Sequence, residues 1–292
     1  MNDSLVLSAM GAAALRAIES YRSEKERLFE DCFARGFMTP FWRGIIEVMR
    51  LPVIGAAFLA LRERQVPGTV GGIICRTRFN DDALRDALRE SLDQVVILGA
   101  GFDSRPYRIP DIGEVRVFEV DHPVVQAQKQ TCLQQMLGTL PPHVAFVPID
   151  FDQQDLEDEM AAAGFRTGCR TFFIWEGVTQ YITAEAVDAT LRFVSRTAAS
   201  GSRIVFTYVL HGVIDSKFED AHKWMSAAQR AGMPWIFGLD PAEVAQYLST
   251  RGLEIVDHVG ASEYQERYLN PIGRQMNVFD IEKTVLAQVV ER

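Results

Sequence analysis

At 292 residues, with 48% hydrophobic and 24% charged side chains, the chain can bury a sizeable core as one large domain or a domain with a cap. A formal charge of −9 argues against nucleic acid as a partner, because phosphate binding needs faces rich in lysine and arginine. Cys32, Cys75, Cys132 and Cys169 are scattered and form no C-x-x-C pair, which excludes a zinc knuckle or disulfide framework and points to a reducing compartment with no metal site.

The start, Met1-Asn2-Asp3-Ser4, lacks the basic run of a signal peptide. The apolar stretch Leu51 to Leu61 is too short to cross a bilayer and runs into Arg62-Glu63-Arg64. The expectation is a soluble, cytoplasmic protein without a membrane partner. Residues 5–90 are expected to be helical throughout. Leu5, Leu7, Met10, Ala14, Ala17 and Ile18 recur at helical spacing, and Phe41 to Leu61 forms a longer apolar helical region broken near Pro52. A short helix is expected over Asp81 to Glu90, with Asn80 as its cap.

From Gln94 the pattern changes to alternation. Strands are expected at 94–99, 114–120, 143–148, 170–176 and 202–209, with helices at 122–137, 153–164 and 184–199 between them, the signature of parallel strands joined by crossover helices. Residues 211–238 interrupt the scheme with a helix over Asp215 to Arg230 and then Gly232-Met233-Pro234-Trp235. Such an insertion lies at the carboxyl end of the sheet, where open α/β folds bind ligands. With Trp224, Met225, Met233, Trp235 and Phe237 it is either an apolar lid or a helical hairpin packed on the sheet edge. Pro241 to Thr250 and Leu253 to Val259 resume the alternation, and Met276 to Val290 can supply a last antiparallel strand.

The most informative stretch is Val95-Val96-Ile97-Leu98-Gly99-Ala100-Gly101-Phe102-Asp103-Ser104-Arg105, a buried strand ending in a glycine turn. A second apolar run, Val115 to Val120, closes in Asp121, an acid placed to accept hydrogen bonds from a ribose diol. Ser104 stands where a dinucleotide fold has its third glycine, which disfavours a pyrophosphate and favours S-adenosylmethionine. A nicotinamide-dependent oxidoreductase is the less favoured reading of the same turn.

Five phrases then occur in order: Cys75-Arg76-Thr77-Arg78-Phe79; Leu98 to Arg105; Phe118-Glu119-Val120-Asp121-His122-Pro123; Val147-Pro148-Ile149-Asp150-Phe151; and Phe173-Ile174-Trp175-Glu176-Gly177-Val178-Thr179-Gln180-Tyr181-Ile182. In this order and spacing the chain resembles the leucine carboxyl methyltransferase family, and within it the bacterial branch that includes actinobacterial methyltransferases and polyketide-tailoring O-methyltransferases. The resemblance spans roughly residues 8–290. It implies an α/β fold of the class I methyltransferase kind: a Rossmann-like, seven-stranded, mostly parallel sheet in a single domain 1–292. An N-terminal helical cap (1–90) would cover a core (91–292) carrying the 211–238 insertion.

The resemblance also implies roles. Arg76 pairs with the carboxylate of the methionine moiety of S-adenosyl-L-methionine, and Gly99, Ala100 and Gly101 form the turn lying against that moiety. Asp121, with His122 beside it, holds the ribose. Asp150 and Phe151 hold adenine, although leucine is usual at Phe151. Glu176 meets the cofactor amino group, and Tyr181 faces the substrate. Residue chemistry agrees, since a zwitterionic tail needs one cation and one anion. The eukaryotic phosphatase-modifying members share little outside these phrases, which disfavours a protein C-terminus as substrate.

The residues also admit plainer roles. Arg76 could bridge to Asp81 or cap a helix, Asp121 could be the N-cap before Pro123, and Tyr181 could simply pack. Glu119 reads as a buried acid with a structural partner. His211 follows the fifth strand at the cleft end and is the candidate base, or a solvated loop histidine. The expected activity is O-methylation of a small molecule, foremost a carboxyl group of a polyketide-like metabolite. A phenol or enol O-methyltransferase is the alternative, and a non-catalytic cofactor-binding protein a further one. Assembly state is left open, a homo-oligomer being one option.

Overall fold

The computed structural model describes residues 2–150, 154–218 and 221–291. Four helices come first: α1 (Asn2–Ser20), α2 (Pro40–Val48), α3 (Pro52–Gln65) and α4 (Thr69–Arg89). Pro40 and Pro52 each stand at a helix start, where the missing N–H is not needed, so the break expected near Pro52 separates α2 from α3. The helix expected from Asp81 is instead the second half of α4, which runs unbroken from Thr69 behind Gly68 at φ +72°. Asn80 therefore caps nothing; it lies inside α4 and is buried.

The alternating region follows as β1 (Gln94–Leu98), α5 (Arg105–Arg108), β2 (Arg116–Asp121), α6 (Pro123–Leu137), β3 (Val144–Pro148), α7 (Leu156–Ala162), β4 (Thr171–Trp175), α8 (Ala184–Thr197) and β5 (Arg203–Val209). The insertion holds α9 (His211–Ile214) and α10 (Ala221–Arg230), then come α11 (Val244–Ser249), β6 (Leu253–Val259) and β7 (Glu282–Val289). The helix expected over Asp215 to Arg230 starts only at Ala221, and a short α9 precedes it, the chain turning at Ser216 with φ +56°.

The strands form one seven-stranded sheet in the order β3-β2-β1-β4-β5-β7-β6. Strands β1 to β5 pair in parallel, whereas β7 runs antiparallel to both β5 and β6, as expected for the closing strand. Every residue of β1 and of β4 is buried, because central parallel strands are covered on both faces. Val95 and Ile97 face one layer, built with α1, α4 and α6 around Ile74, Leu84 and Phe102. Val96 and Leu98 face the other, with Leu191 and Val194 of α8 and Leu248 of α11.

The strand order reverses at β1, which lies between β2 and β4. Beyond the carboxyl ends of such strands, an α/β sheet leaves a crevice for ligand. Among the described residues no single helix is long and apolar enough to cross a membrane.

Candidate active site

A cleft of about 1380 Å³ opens over the carboxyl ends of the strands, larger than the roughly 300–1,000 Å³ of most ligand pockets. Its floor is the turn after β1. Gly99 (φ +65°) and Gly101 (φ +41°) both occupy the left-handed region. A Cβ at Gly99 would come within 2.3 Å of Val178 Cγ2, so only glycine fits between the two loops there. Gly101 faces Ala9 of α1, which crosses above the turn and forms part of the cleft wall.

At the end of β2 the Asp121 carboxylate accepts hydrogen bonds from the backbone N–H of Gly101 (2.5 Å) and of His122 (2.6 Å). Burial pushes its carboxyl above the ordinary aspartate value, and the two N–H donors oppose that rise. Asp121 is not the N-cap of α6. His122 takes that place, with Nδ1 accepting from Val124 N–H at 3.3 Å. Asp121, His122 and Asp150 all line the cleft, Asp150 just past the end of β3. Phe151, expected beside adenine, lies outside the described residues.

Beside the turn lies a buried network of ions. Arg76 and Asn80, one turn apart on α4, both reach Glu176 after β4: Arg76 Nε donates to Oε1 (3.0 Å) and Asn80 Nδ2 to Oε2 (2.8 Å). Arg105 Nη2 donates to the same Oε2 (2.9 Å) and its Nε to Asp81 (2.8 Å). Arg108 completes the pairing of Asp81, while Asp31 takes Arg16 and the Ser104 hydroxyl. Burial alone would raise the Glu176 carboxyl, but Arg105 and Arg76 outweigh it and hold it at about 2. Arg76 does not bridge to Asp81; its second partner is Glu282, met by Nη1 at 2.8 and 2.9 Å.

Sequence reasoning missed Glu282, Arg105 and Asn80. Glu282 was hidden because the register of β7 on β5, Val209 opposite Glu282, is what carries it to the cleft end of the sheet. Its carboxyl is raised by burial and opposed by Arg76. Arg105 stood inside a quoted phrase, two residues after Asp103, with which it also pairs at 2.5 Å. Glu119 has the structural partners expected: Lys129 at 2.8 Å and the Tyr107 hydroxyl at 2.9 Å, with burial pushing its carboxyl up to about 7.

Aromatic and apolar side chains also line the cleft: Trp42 of α2, Phe58 of α3, Tyr181, Trp224, Met233 and Trp235. The insertion is tied down by Ile236 N–H, which donates to Gln180 O at 2.8 Å. Of its five expected lid residues, Trp224, Met233 and Trp235 face the cleft, whereas Phe237 is buried in the core and Met225 packs against it. His211 is not part of the wall. It sits exposed on α9, with Nε2 3.5 Å from Asp215, one helical turn on.

The sequence profile described as leucine carboxyl methyltransferase matches residues 9–195, more than half of the chain and all five phrases around the cleft. The chain belongs to the leucine carboxyl methyltransferase family. Relatives of this family member include a protein of Frankia alni, 33% identical over 80% of this chain and 80% of its own length. Another, from a Parafrankia strain, is 33% identical over 93% of this chain and 83% of its own. Both are provisionally named S-adenosyl-L-methionine-dependent methyltransferases. A crystal structure of a DUF574 family protein from Streptomyces avermitilis shares the fold, with a TM-score of 0.55 over 93% of this chain and 99% of its own at 15% identity.

The protein is an S-adenosyl-L-methionine-dependent methyltransferase, and the residues of the cleft fit that cofactor. Gly101 keeps side chains out of the turn, and Asp121 presents a carboxylate for a diol. Arg76 with Glu176 and Glu282 offers both signs of charge for a zwitterionic tail, by charge-assisted hydrogen bonds.

Proposed function

We propose that this methyltransferase esterifies a carboxyl group of a small, largely apolar acid of the polyketide type. When bound, S-adenosylmethionine supplies an electrophilic methyl on a sulfonium, so a carboxylate acceptor, ionised above a pKa of about 4, needs no base, whereas a phenol near 10 gains from one. The carrying observation is the composition of the acceptor end. Trp42, Phe58, Tyr181, Trp224, Met233 and Trp235 line the cleft beside Arg62, and among the described residues the only histidine on the cleft is His122, which caps α6 beside Asp121.

In this reading the chain does three things. Arg76, the Gly99–Gly101 turn, Asp121 and Asp150 fix the cofactor. Tyr181, Trp224 and Trp235 exclude water and press the acceptor into line, and positioning supplies most of the acceleration. His211 moves no proton. The test uses methyl-labelled S-adenosylmethionine with paired aromatic acids and phenols of matched size. Label released by mild alkali marks an ester and is the expected result. Label confined to alkali-stable ethers would overturn the proposal.

A further inference from the structure

Six arginines line the cleft among its described residues, and five of them are met by carboxylates. Arg16 pairs with Asp31, Arg76 with Glu176 and Glu282, Arg105 with Asp81, Arg192 with Asp188, and Arg196 with Glu157. Arg62 is the exception. Its one hydrogen bond is from Nη1 to the neutral Gln65 Oε1, long at 3.4 Å, and no carboxylate among the described residues pairs with it. Yet apolar cleft residues flank it along the chain: Phe58, four residues before it on α3, and Val66, four residues after it at the C-terminal cap of α3. A cation flanked by apolar groups attracts an anion more strongly than one in open water.

Arg62 is half-buried and lines the cleft, so an anion lying in the cleft can reach its guanidinium.

We infer that Arg62 is the residue that selects the acceptor as an anion, pairing with its ionised carboxyl while Phe58 and Trp42 cover its carbon body. The inference rests on the carboxyl-methylation reading above for the nature of the anion. It names the acceptor class as amphipathic carboxylates, and it assigns to α3 a specificity role that none of the five sequence phrases contains. Arginine suits the task because its planar guanidinium matches a carboxylate in two places at once.

The experiment is calorimetric titration of decanoate and of uncharged 1-decanol into the protein held with S-adenosylhomocysteine, comparing the unaltered chain with Arg62→Met and Arg62→Lys. The unaltered protein should favour the acid by roughly tenfold to a hundredfold, the range of a hydrogen bond to a charged group. Arg62→Met should erase that preference yet keep alcohol binding, the melting temperature and S-adenosylhomocysteine affinity. Arg62→Lys should retain part of it. Equal binding of acid and alcohol, absence of saturable decanoate binding, or a preference that survives Arg62→Met would overturn the assignment. Failure of the two readings is distinguishable: esters formed equally well by Arg62→Met count against Arg62 alone, whereas ethers formed by a protein whose acid preference depends on Arg62 count against carboxyl methylation alone.

Discussion

At the cofactor end of the cleft, Glu176 receives Arg76, Arg105 and Asn80, and Asp81 receives Arg105 and Arg108, so charges that entered the interior are matched there. Elsewhere on the cleft, Arg62 has no matching carboxylate among the described residues and stands beside apolar Phe58 and Val66. The difference separates two tasks. A ligand common to the reaction is met by a set of groups that hold one another in place before it arrives. In the proposed reading, a ligand that must be chosen meets an apolar wall with one cation uncommitted, so that the right occupant gains what the wrong one cannot.

Removing one member of the closed network is the severest way to break this contrast. Arg105→Ala strips a partner from Glu176 and Asp81 at once, and loss of one side of a buried pair costs about 3–5 kcal/mol. Urea unfolding should show it, and a loss below 1 kcal/mol would mean that the network is not tight. Acid tests the same end without mutation. The Glu176 carboxyl sits at about 2 in the fold, against about 4.3 in an unfolded chain. Its stabilisation is therefore complete above about pH 4.3 and lost as pH falls toward 2, a change of roughly 3 kcal/mol that Glu176→Gln should remove from the acid limb of a stability profile.

Affinity comes next in size. Arg76→Met should weaken S-adenosylhomocysteine binding roughly tenfold to a hundredfold in titration calorimetry, through the loss of one charge-assisted contact. An unchanged affinity would remove Arg76 from the cofactor site and leave it a purely structural partner of Glu282. Gly99→Ala sharpens the contrast at the turn. A left-handed backbone costs a side-chain-bearing residue about 1–2 kcal/mol, and Val178 must also move, so the melting temperature should fall measurably. The smallest effect belongs to His211→Ala, exposed and outside the wall. Stability should stay within about 0.5 kcal/mol, with methyl transfer to acids unaltered. A large drop in transfer would restore a base and favour a hydroxyl acceptor.

The sequence alone made the floor of the cleft readable because its residues sit in short contiguous phrases. The glycine turn, Asp121 and Glu176 each end a strand, and a strand's end is visible as the point where an apolar run stops. The parallel order and the antiparallel last strand followed from the alternation of helix and strand. Three local details were missed. The reach of α4 was cut short because polar Asn80-Asp81-Asp82 resembles a helix start, whereas Asn80 is buried against Glu176 and Asp81 is buried against Arg105 and Arg108. The N-cap of α6 moved from Asp121 to His122 because the Asp121 oxygens are taken by Gly101 and His122 N–H. The insertion helix starts later than expected, at Ala221, after a left-handed turn at Ser216, a residue that gives little warning of positive φ.

The amino-acid order by itself determined the strand-and-helix alternation, the glycine turn and the acids at the strand ends, since these depend on neighbours along the chain. Only the tertiary structure decided which charges meet. Arg76 and Glu282 are separated by 206 positions and are brought together by the register of an antiparallel strand. Arg62 is distinguished from five other arginines of the cleft only by what does not stand opposite it. Pairing of ions is a property of distance in space, and burial makes that distance decisive by removing the water that would otherwise answer each charge.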